Sequence, residues 1–172
     1  MLEAGSVTPA ASACGTCTMC CTLMRVAMDP PKPERHTCEH CTGIGCGIYA
    51  ERPEVCAGFQ CLWLASQRTP AYALDPALRP DRSGVVIDLN CALTLIAHCE
   101  RADSWRREPM RSWLLHQAHR TNVILELPDG AALLTPAGET EALVKAGVDP
   151  ISNNRLYVRV ADMARAGMVP SA

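Results

Sequence analysis

Residues 14–21 read CGTCTMCC, and four of the eight are cysteine. Cys14, Cys17 and Cys20 are three apart, and Cys21 follows Cys20 at once. One ion readily takes sulfurs from a C-x-x-C pair, because one turn of backbone presents both thiolates to it. It does not readily take two from adjacent residues, whose side chains diverge on a helix or a strand. Cys20 and Cys21 therefore read as a hinge facing two centres.

The cysteines downstream fit that reading. Nine of the eleven fall within residues 14–61: Cys14, Cys17, Cys20, Cys21, Cys38, Cys41, Cys46, Cys56 and Cys61. The segment is short and poor in large apolar side chains, so it needs metal or disulfides to fold. The N-terminus shows neither the basic start nor the apolar run of a secretory signal. That points to a reducing cytoplasm, where clustered cysteines bind metal or catalyse rather than form disulfides. Cys14 and Cys17 pair with Cys38 and Cys41, twenty residues on, as one candidate four-thiolate site. Cys20 or Cys21 with Cys46, Cys56 and Cys61 supplies a second. His36 and His40 add possible nitrogen ligands. Iron competes with zinc, since Cys14, Cys17 and Cys20 match the first three positions of the bacterial ferredoxin run, whose fourth cysteine and proline are absent here.

Around Cys46 and Cys56 the sequence reads GCGIYAERPEVCAGFQCLWL (45–64). Gly45 and Gly47 allow close backbone approach to a metal. Pro53 and Glu54 suit a first helical turn. That helix would carry Cys56, then Phe59, Leu62 and Trp63, toward the rest of the chain. Arg52 would bind an anionic substrate, offset thiolate charge, or lie solvated.

The remainder is α/β material. Strands are expected at 84–89 (GVVIDL), 92–99 (ALTLIAHC) and 122–127 (NVILEL), with a turn at 128–130 leading into a hairpin strand at 131–135. Residues 105–119 have helical spacing with Pro109 in the first turn. ETEALVKAG (139–147) reads as a short helix ended by Gly147. Residues 156–167 begin as strand and finish as helix. Cys91 and Cys99 read as core thiols, and His98, His116 and His119 as ordinary residues. The expected fold class is α+β, a small metal-nucleated cysteine-rich module packed on a mixed α/β C-terminal half. Its expected divisions are a flexible N-terminus at 1–13, the module at 14–65 and the α/β region at 66–172, with a proline-rich boundary at 66–82.

Composition excludes several functions. No apolar run is long enough to span a membrane. The net charge is −2, from 16 basic and 18 acidic residues, with no global pull toward polyanions. Within 14–61, Arg25, Lys32, Arg35 and Arg52 are outnumbered by Asp29, Glu34, Glu39, Glu51 and Glu54, a poor footprint for nucleic acid.

CGTCTMCC, followed by KPERHTCEHC, GCGIY, RPEVC and FQCLW, resembles the YkgJ-like CxxCxxCC cysteine-cluster family, described as zinc- or iron-chelating. The resemblance covers 14 to about 64. It implies that Cys14, Cys17, Cys20, Cys21, Cys38, Cys46, Cys56 and Cys61 match the family's metal-binding cysteines, with Cys41 fitting a C-x-H-C variant. The expectation is a cytoplasmic protein chelating zinc or iron, its partners metal ions. An iron–sulfur enzyme doing redox or group-transfer chemistry, with Arg52, Tyr49 or His40 near the substrate, is the alternative. Substrate, protein partner and oligomeric state stay open.

Overall fold

The computed structural model describes residues 14–91, 94–149 and 154–166. The expected lead-in at 1–13 lies outside them. In chain order the elements are α1 (Met19–Leu23), α2 (Glu54–Gly58), α3 (Leu62–Ser66), α4 (Pro80–Ser83), β1 (Val85–Cys91), β2 (Thr94–Cys99), α5 (Met110–Ala118), β3 (Asn122–Leu127), β4 (Gly130–Leu134), β5 (Thr140–Val148), β6 (Arg155–Arg159) and α6 (Val160–Arg165). The fold is α+β, as composition and patterning imply. Among the described residues no helix is long and apolar enough to cross a membrane.

The strands form one mixed sheet in sequence order, β1 to β6. Only β2 and β3 run parallel; every other neighbouring pair is antiparallel. A parallel pair needs a crossover, and α5 supplies it. Trp105, Met110 and Leu114 are almost fully buried and pack with Val85, Ala97, Val123 and Leu125 on one sheet face. Because β2 and β3 are covered on both faces, they read as near-continuous branched runs, which made them easy to anticipate. The chain turns from α4 into β1 at Gly84, whose φ of +71° suits glycine. A Cβ there would stand 2.9 Å from Ser104 Oγ, so a larger residue would force that turn apart.

Two expectations need correction. Residues 139–147 are not a helix: from Thr140 on they belong to β5, which pairs with β4 and β6. Glu, Ala, Leu and Lys favour helix locally, but two ladders of backbone hydrogen bonds override that preference. Gly147, at φ +125°, sits at an irregularity in the β5–β6 ladder instead of ending a helix. The helix expected to run from Pro53 through Trp63 is two: α2 stops at Gly58, and Phe59 is extended before α3 begins. This break sends Phe59 and Trp63 to different cores, Phe59 to the α1 cluster and Trp63 to the sheet core. The segment at 66–82 holds two 3-10 turns and α4, and it buries Leu78 in the sheet core.

The sheet is curled. Asn90 on β1 exchanges hydrogen bonds with the Arg155 backbone on β6, its amide donating to the carbonyl and its oxygen accepting from the N–H. Arg155 also donates to Asp88 of β1 at 3.3 Å. The first and last strands thus meet through side chains, and the concave face holds His98, Glu126 and Tyr157. The segment carrying the cysteines covers part of this face. Met19, Leu23 and Met24 pack on Val86. Arg35 donates to the carbonyls of Cys99 and Glu126, each at 2.9 Å, and Lys145 pairs with Glu34 at 2.7 Å.

Candidate metal centre

α1 is one turn long, and its placement follows from Met19 and Leu23, four apart and both buried against the sheet. Of the residues between them, Cys20 and Cys21 are left only partly buried, on the flank. Tight turns bring in the rest. The N–H of Cys17 donates to Cys14 O at 3.1 Å, and that of Cys41 to Cys38 O at 2.9 Å, closing the two C-x-x-C turns. Cys38 is tied to α1 through its N–H to Cys21 O at 2.9 Å. Cys46 pairs with Cys41 in a short bridge. Cys56 lies on α2, and Cys61 caps the start of α3.

The result is a cavity of about 240 Å³. Eight cysteines line it: Cys14, Cys17, Cys20, Cys21, Cys38, Cys46, Cys56 and Cys61. Cys41 is not among them, though its thiol acts on that of Cys21. Arg25, Lys32, Arg52, His40 and Tyr49 share the wall, and among the described residues no Asp or Glu does. Every described cysteine is a free thiol. His36 is elsewhere, exposed beside the Glu34 carbonyl. Cys99 is fully buried in the sheet core, away from the cavity; the Cys91 side chain lies outside the described residues.

The sulfurs fall into two neighbourhoods. Cys14, Cys17 and Cys61 feel one another, and Cys17, Cys20 and Cys61 pack against the apolar α1 cluster. Cys56 feels Cys21, Cys38 and Cys46. Cys21 also touches the thiol of Cys20 and lies within the field of Cys14, so it stands where the neighbourhoods join. These neighbours differ from the pairs that spacing alone suggests, because α3 folds Cys61 back onto Cys14 and Cys17.

In the absence of a cation, five of these thiols, Cys14, Cys17, Cys21, Cys56 and Cys61, are pushed toward the protonated form. Burial first, then the neighbouring sulfurs, pushes Cys14 and Cys56 up. Burial likewise raises Cys61, against N–H groups of Leu64 and Trp63 that point at its sulfur. Cys17 is raised by burial too, while N–H groups of Met19 and Asp81 oppose it. Cys21 is raised by its hydrogen bond with Cys20 and then by burial. A thiophilic cation would reverse this balance by taking the proton's place.

Among the described residues, no three His, Cys, Asp or Glu side chains are already drawn together tightly enough to hold an ion. The fit therefore rests on the donor set: eight thiols on one carboxylate-free wall suit soft ions such as zinc or iron, not calcium or magnesium. Lys32 and Arg79 were not visible as part of this site in the sequence. Arg79 is 65 residues from Cys14, yet its guanidinium donates to Cys14 O at 2.7 Å and fixes the start of the first C-x-x-C turn. Comparison with family models, with curated proteins and with solved structures finds no match for this chain.

Proposed function

We propose that this protein binds zinc or iron through the cysteines of residues 14–61. The observation that carries the reading is the meeting of eight free thiols, brought from α1, α2, α3 and the loops between them, on one wall without a carboxylate. A structural zinc takes four thiolates at about 2.3 Å, and an iron–sulfur cluster also takes four. Eight is enough for two such centres. The resemblance of CGTCTMCC and the later cysteines to the CxxCxxCC family supports the same conclusion. Binding would replace thiol protons and pull the sulfurs inward around each ion.

A second reading is an iron–sulfur enzyme of redox or group-transfer type. It is favoured by His40, Tyr49 and Arg52 lining the same cavity as the thiols, where a substrate would meet a cluster. Bound iron and sulfide would supply electron transfer or an open coordination position.

The test is elemental analysis of protein purified without oxygen, counting zinc, iron and acid-labile sulfide per chain. Two equivalents of zinc without sulfide support the chelating reading. Iron with matching sulfide supports the enzyme reading. Protein that carries neither metal, and takes up neither after reduction, overturns both.

A further inference from the structure

We propose that Lys32 is the built-in counter-charge of the thiolate centre, a positioning residue that lets the cavity hold metal-bound thiolates at low cost; this rests on the metal-binding reading above. Lys32 is only 7% exposed, yet among the described residues no carboxylate pairs with it. A buried ammonium without an anion is expensive to maintain. Its Nζ donates to the carbonyls of Met24 and Pro33, which satisfies two of its three N–H groups and supplies no formal charge. The groups within its field that a bound cation would turn into anions are the sulfurs of Cys38, Cys21, Cys20 and Cys56.

Its position is fixed. Val26 and Lys32 exchange backbone hydrogen bonds at 3.0 Å in both directions, which clamps the segment around the turn between them. A long, flexible side chain is thereby delivered to one place on the cavity wall. The charge arithmetic favours a negative occupant. A divalent ion with four thiolates carries two net negative charges. Among the described residues the wall offers Lys32, Arg25 and Arg52 and no carboxylate; Asp81, which acts on Cys17 from outside it, is paired with Arg79 at 3.0 Å. Arg52 repeats the pattern: its Nε is buried without a hydrogen-bond partner, and its guanidinium stacks 3.8 Å over Tyr49.

The test uses the full chain, cadmium(II) alone as probe, and a competing chelator, on wild type, Lys32→Met and Lys32→Arg. Groups around a metal's direct ligands commonly change affinity by about 10- to 100-fold when removed. Lys32→Met is expected to weaken cadmium retention by that much, while metal-free Lys32→Met melts no lower than metal-free wild type, because an uncompensated buried charge has gone. Lys32→Arg should recover most of the affinity. A purely structural lysine gives the opposite split: metal-free Lys32→Met melts lower, and its cadmium affinity is unchanged. That result overturns the inference while leaving metal binding intact. Wild-type protein that binds no cadmium overturns the metal reading and this inference together.

Discussion

Tyr157 on β6 donates its hydroxyl to the carboxylate of Glu126 on β3, although two strands lie between them in the sheet. The bond spans the concave face and records the curl directly. Glu126 also accepts from Nδ1 of His98, 2.9 Å away on the paired strand, and lies 3.5 Å from Lys145. Arg155 Nη1 faces the other His98 nitrogen at 3.2 Å.

Acid should therefore loosen the sheet. Burial pushes the Glu126 carboxyl up, but the hydrogen bond and charge of His98, the Tyr157 hydroxyl and the Lys145 charge outweigh it, holding the group well below the usual carboxylate range. A depressed carboxylate contributes stability that is present above the unfolded value, about 4.3, and lost as pH falls toward the folded value. The melting temperature should fall below about pH 4, and Glu126→Gln should flatten that fall. Tyr157→Phe should cost roughly 2 kcal/mol at neutral pH, as for a hydrogen bond to a charged acceptor. Thermal melts from pH 2 to 8 on the three proteins check this; identical acid slopes would refute it.

Metal removal should affect the chain unevenly. A structural zinc contributes on the order of 10 kcal/mol to folding of a domain that lacks a core. Residues 38–58 have no buried apolar residue of their own, so they should lose hydrogen-exchange protection after chelation. α1 should keep more, since Met19, Leu23 and Met24 remain packed on Val86. The sheet, with its core of Trp105, Met110 and Leu114, should be unchanged. Equal protection across 38–58 with and without metal would remove the idea that ligation orders these loops.

How much of this was legible depended on where the information lay. β1 to β4 were readable because burial selects Val, Ile and Leu, and the PDG turn marks the hairpin. β5 was not, since an exposed strand keeps Glu, Ala and Lys, which also suit a helix. The cysteine cluster was visible as a density of one residue type. Its internal neighbours were not, because Cys61 returns to Cys14 only through the break after α2 and the packing of α3. Lys32 looked like one surface charge among several; only burial distinguishes it from Arg25, which is exposed.

Cys99 should be inert. It is fully buried, its thiol donates to Ala97 O at 3.6 Å, and burial pushes its pKa up to about 12. Reactivity requires thiolate and access, and Cys99 has neither. Native, metal-free, reduced protein should leave Cys99 unmodified by iodoacetamide while the partly exposed Cys38 and Cys46 are alkylated. Cys99→Ser should keep the wild-type metal count. Mass mapping and elemental analysis check both; loss of one metal equivalent would make Cys99 a ligand.

Cys20 and Cys21 should serve different centres. Their side chains leave α1 about 100° apart, the step of a helix. Cys20 packs beside Cys17 and Cys61 against Met19, Leu23 and Met24, and Cys21 lies within the field of Cys56 and touches Cys41. Two sulfurs on one tetrahedral ion sit about 3.8 Å apart around a shared point, as bonds of about 2.3 Å require. The Cys20–Cys21 contact shows that the two thiols can approach, so proximity alone does not separate the cases. The separation comes from the company each keeps. With cobalt(II) in place of the native ion, Cys20→Ser should weaken the spectral component belonging to Cys14, Cys17 and Cys61. Cys21→Ser should weaken the component belonging to Cys38, Cys46 and Cys56. Each variant should lose about one equivalent, and Cys14→Ser and Cys56→Ser should reproduce the two patterns respectively. If both adjacent variants lose the same component, the two residues share one ion or one multinuclear cluster. A sulfide count then decides between those, and the two-centre arrangement is wrong.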